Sequence, residues 1–135
     1  MVLSNQVPNQ SMSATLPEPS RQDLSAMRII LVDDHAIVRE GVRAILEMQE
    51  EMEVVGEFAN GADALAAVAG LSPHLALVDL KMPGLSCVDT IRGLHERVPG
   101  IRVLVFTSFG EDSLIRATLD AGATGFLIKD ALKDD

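Results

Sequence analysis

The feature that most constrains the fold is an alternation of short apolar runs with stretches of helical periodicity, from Arg28 to Ile128. The first run, Ile29–Val32, is apolar at every position and rich in β-branched residues, which is typical of a strand buried on both faces. The stretch from His35 to about Met48 instead places its apolar residues at helical spacing. The whole pattern predicts the order βαβαβαβαβ, and therefore parallel strands with right-handed crossovers in a doubly wound α/β sheet.

The remaining elements follow from the same patterns and from turn residues. The predicted strands are Met52–Phe58, Leu75–Val78, Ile101–Phe106 and Ala123–Ile128. One helix is predicted from Asn60 as N-cap to Gly70, a second passes through Val88 and ends near Pro99, and a third spans Ser113–Ala121 and is closed by Gly122. Residues 1–26 are rich in Pro, Ser, Asn and Gln and predict a disordered tail, with one domain at 27–132 and a short tail at 133–135.

Composition excludes several classes of function. The chain has 135 residues, which is one ordinary domain, and a formal net charge of −9, so its surface repels a nucleic-acid backbone on average. It has no Trp and no Tyr, which argues against binding of single strands by base stacking. A single Cys excludes an intrachain disulfide and favours a reducing, cytosolic compartment. No apolar run approaches the length of about 20 residues that a membrane span needs, and the N-terminus does not resemble a secretory signal.

Polar side chains follow the predicted strands at the edge where ligands bind in such sheets. The residues concerned are Asp33 and Asp34 after the first strand, Asp79 at the end of the third, Thr107 after the fourth and Lys129 after the fifth. Three neighbouring carboxylates repel one another unless a cation joins them, and Mg²⁺ prefers oxygen ligands together with a phosphate. An Asp can also accept a phosphoryl group as a nucleophile. The edge is therefore predicted to bind Mg²⁺ and to take part in phosphoryl transfer.

Four strings carry a resemblance to a known family. They are Leu31-Val32-Asp33-Asp34-His35, Val78-Asp79-Leu80-Lys81-Met82-Pro83-Gly84, Val105-Phe106-Thr107-Ser108-Phe109 and Gly125-Phe126-Leu127-Ile128-Lys129-Asp130-Ala131. In this order and spacing they resemble the receiver domain of two-component response regulators. The resemblance covers Arg28 to about Leu132 and implies a flavodoxin-like, five-stranded parallel sheet in the order 2-1-3-4-5. The stretches around His35 and Lys129 are similar to the subfamily that carries a LuxR-type helix-turn-helix after the receiver.

The resemblance also implies residue roles. Asp79 is similar to the phosphoacceptor, and Lys129 to the lysine that contacts the phosphoryl group. The implied metal ligands are Asp34 directly, Asp33 through water, Asp79, and the backbone carbonyl of Lys81. Thr107 resembles the hydroxyl that moves toward the phosphoryl oxygen, and Phe126 the aromatic side chain that swings inward behind it.

The function implied is a signalling switch that catalyses only its own phosphorylation and dephosphorylation. The cofactor would be Mg²⁺, the donor a phosphohistidine on a sensor histidine kinase, the output transcriptional and the location cytoplasmic. A second copy of the chain remains an open partner. One alternative is a Mg²⁺-dependent phosphohydrolase of the aspartyl-phosphate type, which needs a second Asp where this chain has Lys81. Another is a binding module whose switch no longer works.

Some residues depart from the pattern or fall outside it. Cys87 stands where the family usually has Gly, and a positive φ there would strain it. The spacing of His35, His74 and His95 fits no zinc pattern, so all three are interpreted as structural or solvated. Phe109 is hypothesised to slow loss of the phosphoryl group.

The sequence ends at Asp135, before the family's usual final helix and before a helix-turn-helix. On that basis the chain looks like a truncated regulator. Without that helix, apolar surface near strands one, four and five would be exposed, and such patches tend to associate.

Overall fold

The computed structural model describes residues 26–108 and 111–129. The strands are β1 (Met27–Val32), β2 (Met52–Phe58), β3 (Leu75–Asp79), β4 (Arg102–Thr107) and β5 (Gly125–Ile128). The helices between them are α1 (Ala36–Glu47), α2 (Gly61–Leu71), α3 (Cys87–Arg97) and α4 (Asp112–Asp120). All neighbouring strands are parallel and the sheet order is β2-β1-β3-β4-β5. The predicted fold class and strand order are therefore confirmed.

Alternate residues of each central strand are buried on opposite faces of the sheet. Alternate residues of a strand point to opposite faces, so Ile30 and Ile29 of β1 belong to different cores. The larger core packs the sheet against α2, α3 and α4, and the smaller one packs it against α1 through Val42. On the α1 side, Leu127 of β5 pairs with Phe106 and remains 40% exposed. This packing fixes the sheet between two layers of helices and holds the strand ends in register.

Side-chain caps fix where two of the helices begin. Asn60 Oδ1 accepts the Asp63 N–H at 2.8 Å, which confirms the predicted cap of α2. Ser86 Oγ accepts the Asp89 N–H at 3.0 Å and starts α3 directly after the loop that follows β3. Each contact satisfies a backbone donor that has no partner within the helix.

The predicted end of α2 at Gly70 is wrong. The helix continues through Leu71 and ends at Ser72, whose φ of 48° is left-handed. Gly70 itself lies inside the helix, and the position that a Cβ would take there is open space. The left-handed position that usually takes Gly or Asn is thus held here by Ser, and Pro73 follows at once to prevent continuation.

The predicted tails at 1–26 and 133–135, the predicted lack of a final helix and the hypothesised role of Phe109 concern residues that, apart from Ala26, lie outside the described ranges. Among the helices that are described, none has both the length and the apolar character needed to cross a bilayer.

Candidate functional site

The acidic residues predicted to gather at the carboxyl edge of the sheet do so. β1 and β3 are adjacent and parallel, so Asp33, just after β1, lies beside Asp79 at the end of β3. Both residues are 2% exposed. Asp33, Asp34, His35 and Asp79 each offer one ligand atom, and these four atoms lie within 4.8 Å of one another. The strand topology therefore converts residues far apart in sequence into one cluster.

Lys129 brings the positive charge to this cluster. Its Nζ lies 3.1 Å from Asp79 Oδ1 and 3.8 Å from Asp33 Oδ2. Burial raises the pKa of the Asp79 carboxyl, and the negative charge of Asp33 raises it further, whereas the hydrogen bond and charge of Lys129 oppose the shift. The ammonium group of Lys129 thus does not cancel the combined effect of burial and of the Asp33 charge on the pKa of Asp79.

Two buried carboxylate oxygens of this cluster have no hydrogen-bond partner among the described residues. They are Asp33 Oδ2 and Asp79 Oδ2. A buried polar atom without a partner is costly, and such atoms usually indicate an unseen water, ion or ligand. Oxygen atoms of this kind are what a divalent cation such as Mg²⁺ binds, so the residues present fit that ion.

Asp79 lies on a cavity of about 230 Å³ at the same edge. The cavity is lined by His35, Asp79, Leu80, Lys81, Thr107, Ser108, Glu111 and Lys129. Thr107 ends β4, next to β3, and is 2% exposed. Its Oγ1 donates to the Ser108 carbonyl at 3.0 Å. The predicted hydroxyl therefore lies in the same cavity as Asp79 and Lys129, although it is hydrogen-bonded to its own loop.

Lys81 contacts the cavity through both its backbone and its side chain. Its N–H donates to Asp79 Oδ1 at 3.4 Å. Its Nζ lies 2.8 Å from Glu111 Oε2, so the ion pair joins the loop after β3 to the start of α4. The sequence predicted only a metal-binding role for the Lys81 carbonyl, and the pairing with Glu111 was not foreseen because no local pattern links the two residues.

The histidines divide into two groups. His74 Nδ1 accepts the Arg28 N–H at 2.9 Å, and His95 Nε2 lies 2.9 Å from the Gly122 carbonyl oxygen, so both have structural contacts as interpreted. His35 is 61% exposed, as expected for a solvated residue, and its Nδ1 also lies 3.1 Å from Asp33 Oδ1 and 3.2 Å from Asp34 Oδ1, a contact that the sequence did not predict. The missed signal was the contiguous Asp-Asp-His run directly after a strand, which a search for zinc spacing among histidines overlooks.

Cys87 occupies the first position of α3 and is 4% exposed. The strain considered for this position is not observed, because the only described non-glycine residue with a positive φ is Ser72. Burial, aided by the negative charge of Asp79, raises the pKa of the Cys87 thiol to about 12. The backbone at Cys87 carries no positive-φ strain.

Phe126 lies on β5 opposite Val105 and is 45% exposed. Its ring is at the surface rather than in the core in this conformation. The predicted inward movement of this ring therefore stays a prediction.

This arrangement defines a class of protein: a five-stranded parallel α/β domain with a cluster of carboxylates and one lysine at the carboxyl edge of its sheet. The chain belongs to the response regulator receiver domain family, whose model matches residues 29–135. That match confirms the resemblance found in the sequence.

Individual relatives agree with this assignment. The chain is 35% identical over 108 residues to the transcriptional regulatory protein LnrK of Bacillus subtilis, covering 80% of this chain and 49% of LnrK. It is 37% identical over 110 residues to the response regulator protein VraR of Staphylococcus epidermidis, covering 82% of this chain and 53% of VraR. The chain thus spans about half the length of the curated relatives it matches.

Solved structures show the same fold. A two-component response regulator of the LuxR family from an Aurantimonas species superposes with a TM-score of 0.72 at 33% identity, covering 78% of this chain and 75% of that one. The isolated receiver domain of RcsB from Salmonella enterica, determined in the presence of the phosphomimetic BeF₃⁻, gives a TM-score of 0.71 at 30% identity, covering 78% of each chain.

Proposed function

We propose that this receiver domain is phosphorylated on Asp79 in a Mg²⁺-dependent reaction and that a sensor histidine kinase supplies the phosphoryl group. The observation that carries the proposal is the state of Asp79: it is buried, it contacts Lys129 through Oδ1, and Oδ2 has no hydrogen-bond partner among the described residues. One oxygen of Asp79 is thus held by Lys129, while the other has no hydrogen-bond partner among the described residues.

The proposed reaction is a displacement at phosphorus. An oxygen of Asp79 forms the new P–O bond, the bond from phosphorus to the donor nitrogen breaks, and the electron pair of that bond leaves on the imidazole of the donor. Lys129 neutralises charge on the transferred group, since its Nζ already lies 3.1 Å from Asp79 Oδ1. Bound Mg²⁺, held by Asp33, Asp34, Asp79 and the Lys81 carbonyl, would neutralise phosphoryl charge and orient the group.

The switch that we propose starts at Thr107. Its hydroxyl donates to Ser108 in this structure, and rotation about its side-chain bond would redirect the donor into the cavity it shares with Asp79. Phe126 is exposed at the surface of β5 and would move inward in response. In this proposal the domain acts in the cytoplasm and controls a transcriptional output. Relatives such as LnrK are named as transcriptional regulatory proteins.

The test is phosphorylation by acetyl phosphate in the presence of Mg²⁺. We expect intact-protein mass spectrometry to show one phosphoryl group per chain. Acid treatment should remove this group, and Asp79→Asn should not acquire it. The matched control is Asp120→Asn, which removes an exposed carboxylate at the end of α4 and should label normally. EDTA should prevent labelling of the wild-type protein.

Two other outcomes would contradict the proposal. Continuous release of many phosphates per chain would favour the phosphohydrolase. A complete absence of label with every donor tested, including a sensor kinase, would favour a module whose switch no longer works.

A further inference from the structure

His35 stands at the acidic edge, where the sequence predicted only a structural or solvated residue. Its Nδ1 lies 3.1 Å from Asp33 Oδ1, 3.2 Å from Asp34 Oδ1 and 4.0 Å from Asp79 Oδ2. The His35 side chain is 61% exposed, so burial does not hold the ring there. The N–H of His35 also donates to Asp33 Oδ1 at 2.8 Å, which fixes the backbone beneath the ring.

The distances around Nδ1 match those within one coordination sphere. Metal–ligand bonds of about 2.1 Å in octahedral geometry place neighbouring ligand atoms about 3.0 Å apart and opposite ones about 4.2 Å apart. The two short distances from Nδ1 agree with neighbouring positions, and the distance of 4.0 Å to Asp79 Oδ2 agrees with the opposite position. These distances fit a hydrogen bond between Nδ1 and Asp33 Oδ1 as well as shared coordination of one ion, and titration with metals distinguishes the two.

A second observation concerns Asp79 Oδ2 of this set and the other carboxylate oxygen of Asp33, and it also points to an ion at this edge. Asp33 Oδ2 and Asp79 Oδ2 are buried carboxylate oxygens with no hydrogen-bond partner among the residues described, and both residues are 2% exposed. Lys129 compensates only part of their charge, since its Nζ contacts Asp79 through Oδ1 and stays 3.8 Å from Asp33 Oδ2.

We propose that His35 Nδ1 is a direct metal ligand, which makes the site one of mixed oxygen and nitrogen donors that favours first-row transition ions such as Mn²⁺ and Co²⁺. The proposal rests on the metal site of the proposed function and adds a fourth side chain to it. Imidazole suits transition ions, whereas Mg²⁺ is bound almost entirely through oxygen. Coordination through Nδ1 requires that this nitrogen carry no proton, and the ring proton then resides on Nε2.

The structure predicts a selective effect of removing the ring. His35→Ala takes away a nitrogen donor but leaves the three carboxylates, so affinity for Co²⁺ should fall by at least about tenfold. Affinity for Mg²⁺ should change by less than about threefold, because Mg²⁺ readily replaces a lost ligand with water. The matched control is His95→Ala, which removes a histidine on α3 whose ring contacts Gly122 instead.

The experiment uses the metals alone with the full chain at mildly alkaline pH. Affinities for Co²⁺ and Mg²⁺ are measured by calorimetry, and the Mn²⁺-loaded protein is examined by electron spin-echo envelope modulation, which detects directly bound nitrogen. The wild type and His95→Ala should show strong ¹⁴N modulation, and His35→Ala should lose it while still binding Mn²⁺.

The outcomes separate this inference from the proposed function. Mn²⁺ that binds in an Asp34-dependent manner without ¹⁴N modulation would overturn the role of His35 and leave the oxygen site intact. Tighter binding of both Co²⁺ and Mg²⁺ by His35→Ala would also overturn it, because the ring would then compete with the metal. Metal binding that is unchanged in Asp34→Asn would instead contradict the metal site itself.

Discussion

Removal of the Lys129 ammonium tests whether the edge of the sheet holds uncompensated negative charge. At an effective dielectric constant of about 20, its attractions to Asp79 at 3.1 Å and Asp33 at 3.8 Å amount to about 5 and about 4 kcal/mol. Desolvation and ordering of the ammonium, whose side chain is 22% exposed, offset more than half of this sum. We therefore expect Lys129→Met to lower the free energy of unfolding by about 2–4 kcal/mol without divalent metal.

The assay is urea denaturation of the metal-free protein at neutral pH, arranged as a double-mutant cycle. Asp79→Asn should recover much of the stability lost in Lys129→Met, because one of the two carboxylates left without a counter-ion is removed. Arg92→Met serves as the control, since its contact with Asp89 joins two exposed side chains at 3.8 Å and should matter by less than about 0.5 kcal/mol. The electrostatic reasoning would be refuted if Lys129→Met left the urea midpoint unchanged. It would also be refuted if the effects of Lys129→Met and Asp79→Asn on the free energy of unfolding were simply additive.

Three further predictions concern single positions. Because the pKa of Asp79 is raised in the folded protein, its protonated carboxyl favours folding, and this contribution is lost as the pH rises above the ordinary value of 3.8. The thermal stability of Asp79→Asn relative to the wild type should therefore increase with rising pH. A relative gain that shrinks as the pH rises would contradict this sign. The Cys87 thiol is buried and its pKa is raised to about 12. It should therefore react with a disulfide reagent at least about a hundredfold more slowly in the native protein than in the unfolded protein. Equal reaction rates would show that the thiol is accessible in the native protein. In α2, Gly61→Ala should lower the free energy of unfolding by about 1–3 kcal/mol, because the new Cβ would meet Thr90 Oγ1 at 2.0 Å. Gly70→Ala adds a Cβ in open space and should raise the free energy of unfolding by about 0.5–1 kcal/mol. Equal effects of the two substitutions in urea denaturation would contradict the packing described.

The sequence predicted the sheet and most of the site because both follow from strand order. Once the strands are parallel, residues directly after them must share an edge, and this places Asp33, Asp79, Thr107 and Lys129 together. The asparagine cap of α2 could also be predicted from the sequence, because it depends on residues only three positions apart.

Features that depend on contacts between segments distant in sequence could not be predicted from the sequence. The ion pair of Lys81 with Glu111 joins two loops whose separation is set by the packing of α3 and α4. The position of the His35 ring depends on a short approach to three carboxylates, and nothing in its spacing from other histidines indicates that approach. The hydroxyl of Thr107 and the ring of Phe126 depend on the conformation that the domain adopts, which one sequence does not specify.

The end of α2 shows a local rule overridden by packing. Gly70 looked like a C-cap because glycine commonly follows a helix. The helix instead continues so that Leu71 can pack on the larger core, and its carbonyl oxygen accepts the Arg28 side chain at 2.7 Å. The left-handed residue moves to Ser72.

The most direct test of the central claim is to locate the phosphorylated residue chemically. The domain is treated with acetyl phosphate, with and without Mg²⁺, and the acyl phosphate is then reduced with borohydride and digested for tandem mass spectrometry. The account predicts reduction at position 79 alone, and only in the sample that contained Mg²⁺. Reduction at another carboxylate, or equal labelling of Asp79 without a divalent ion, would contradict the claim that these residues form one site for metal and phosphoryl group.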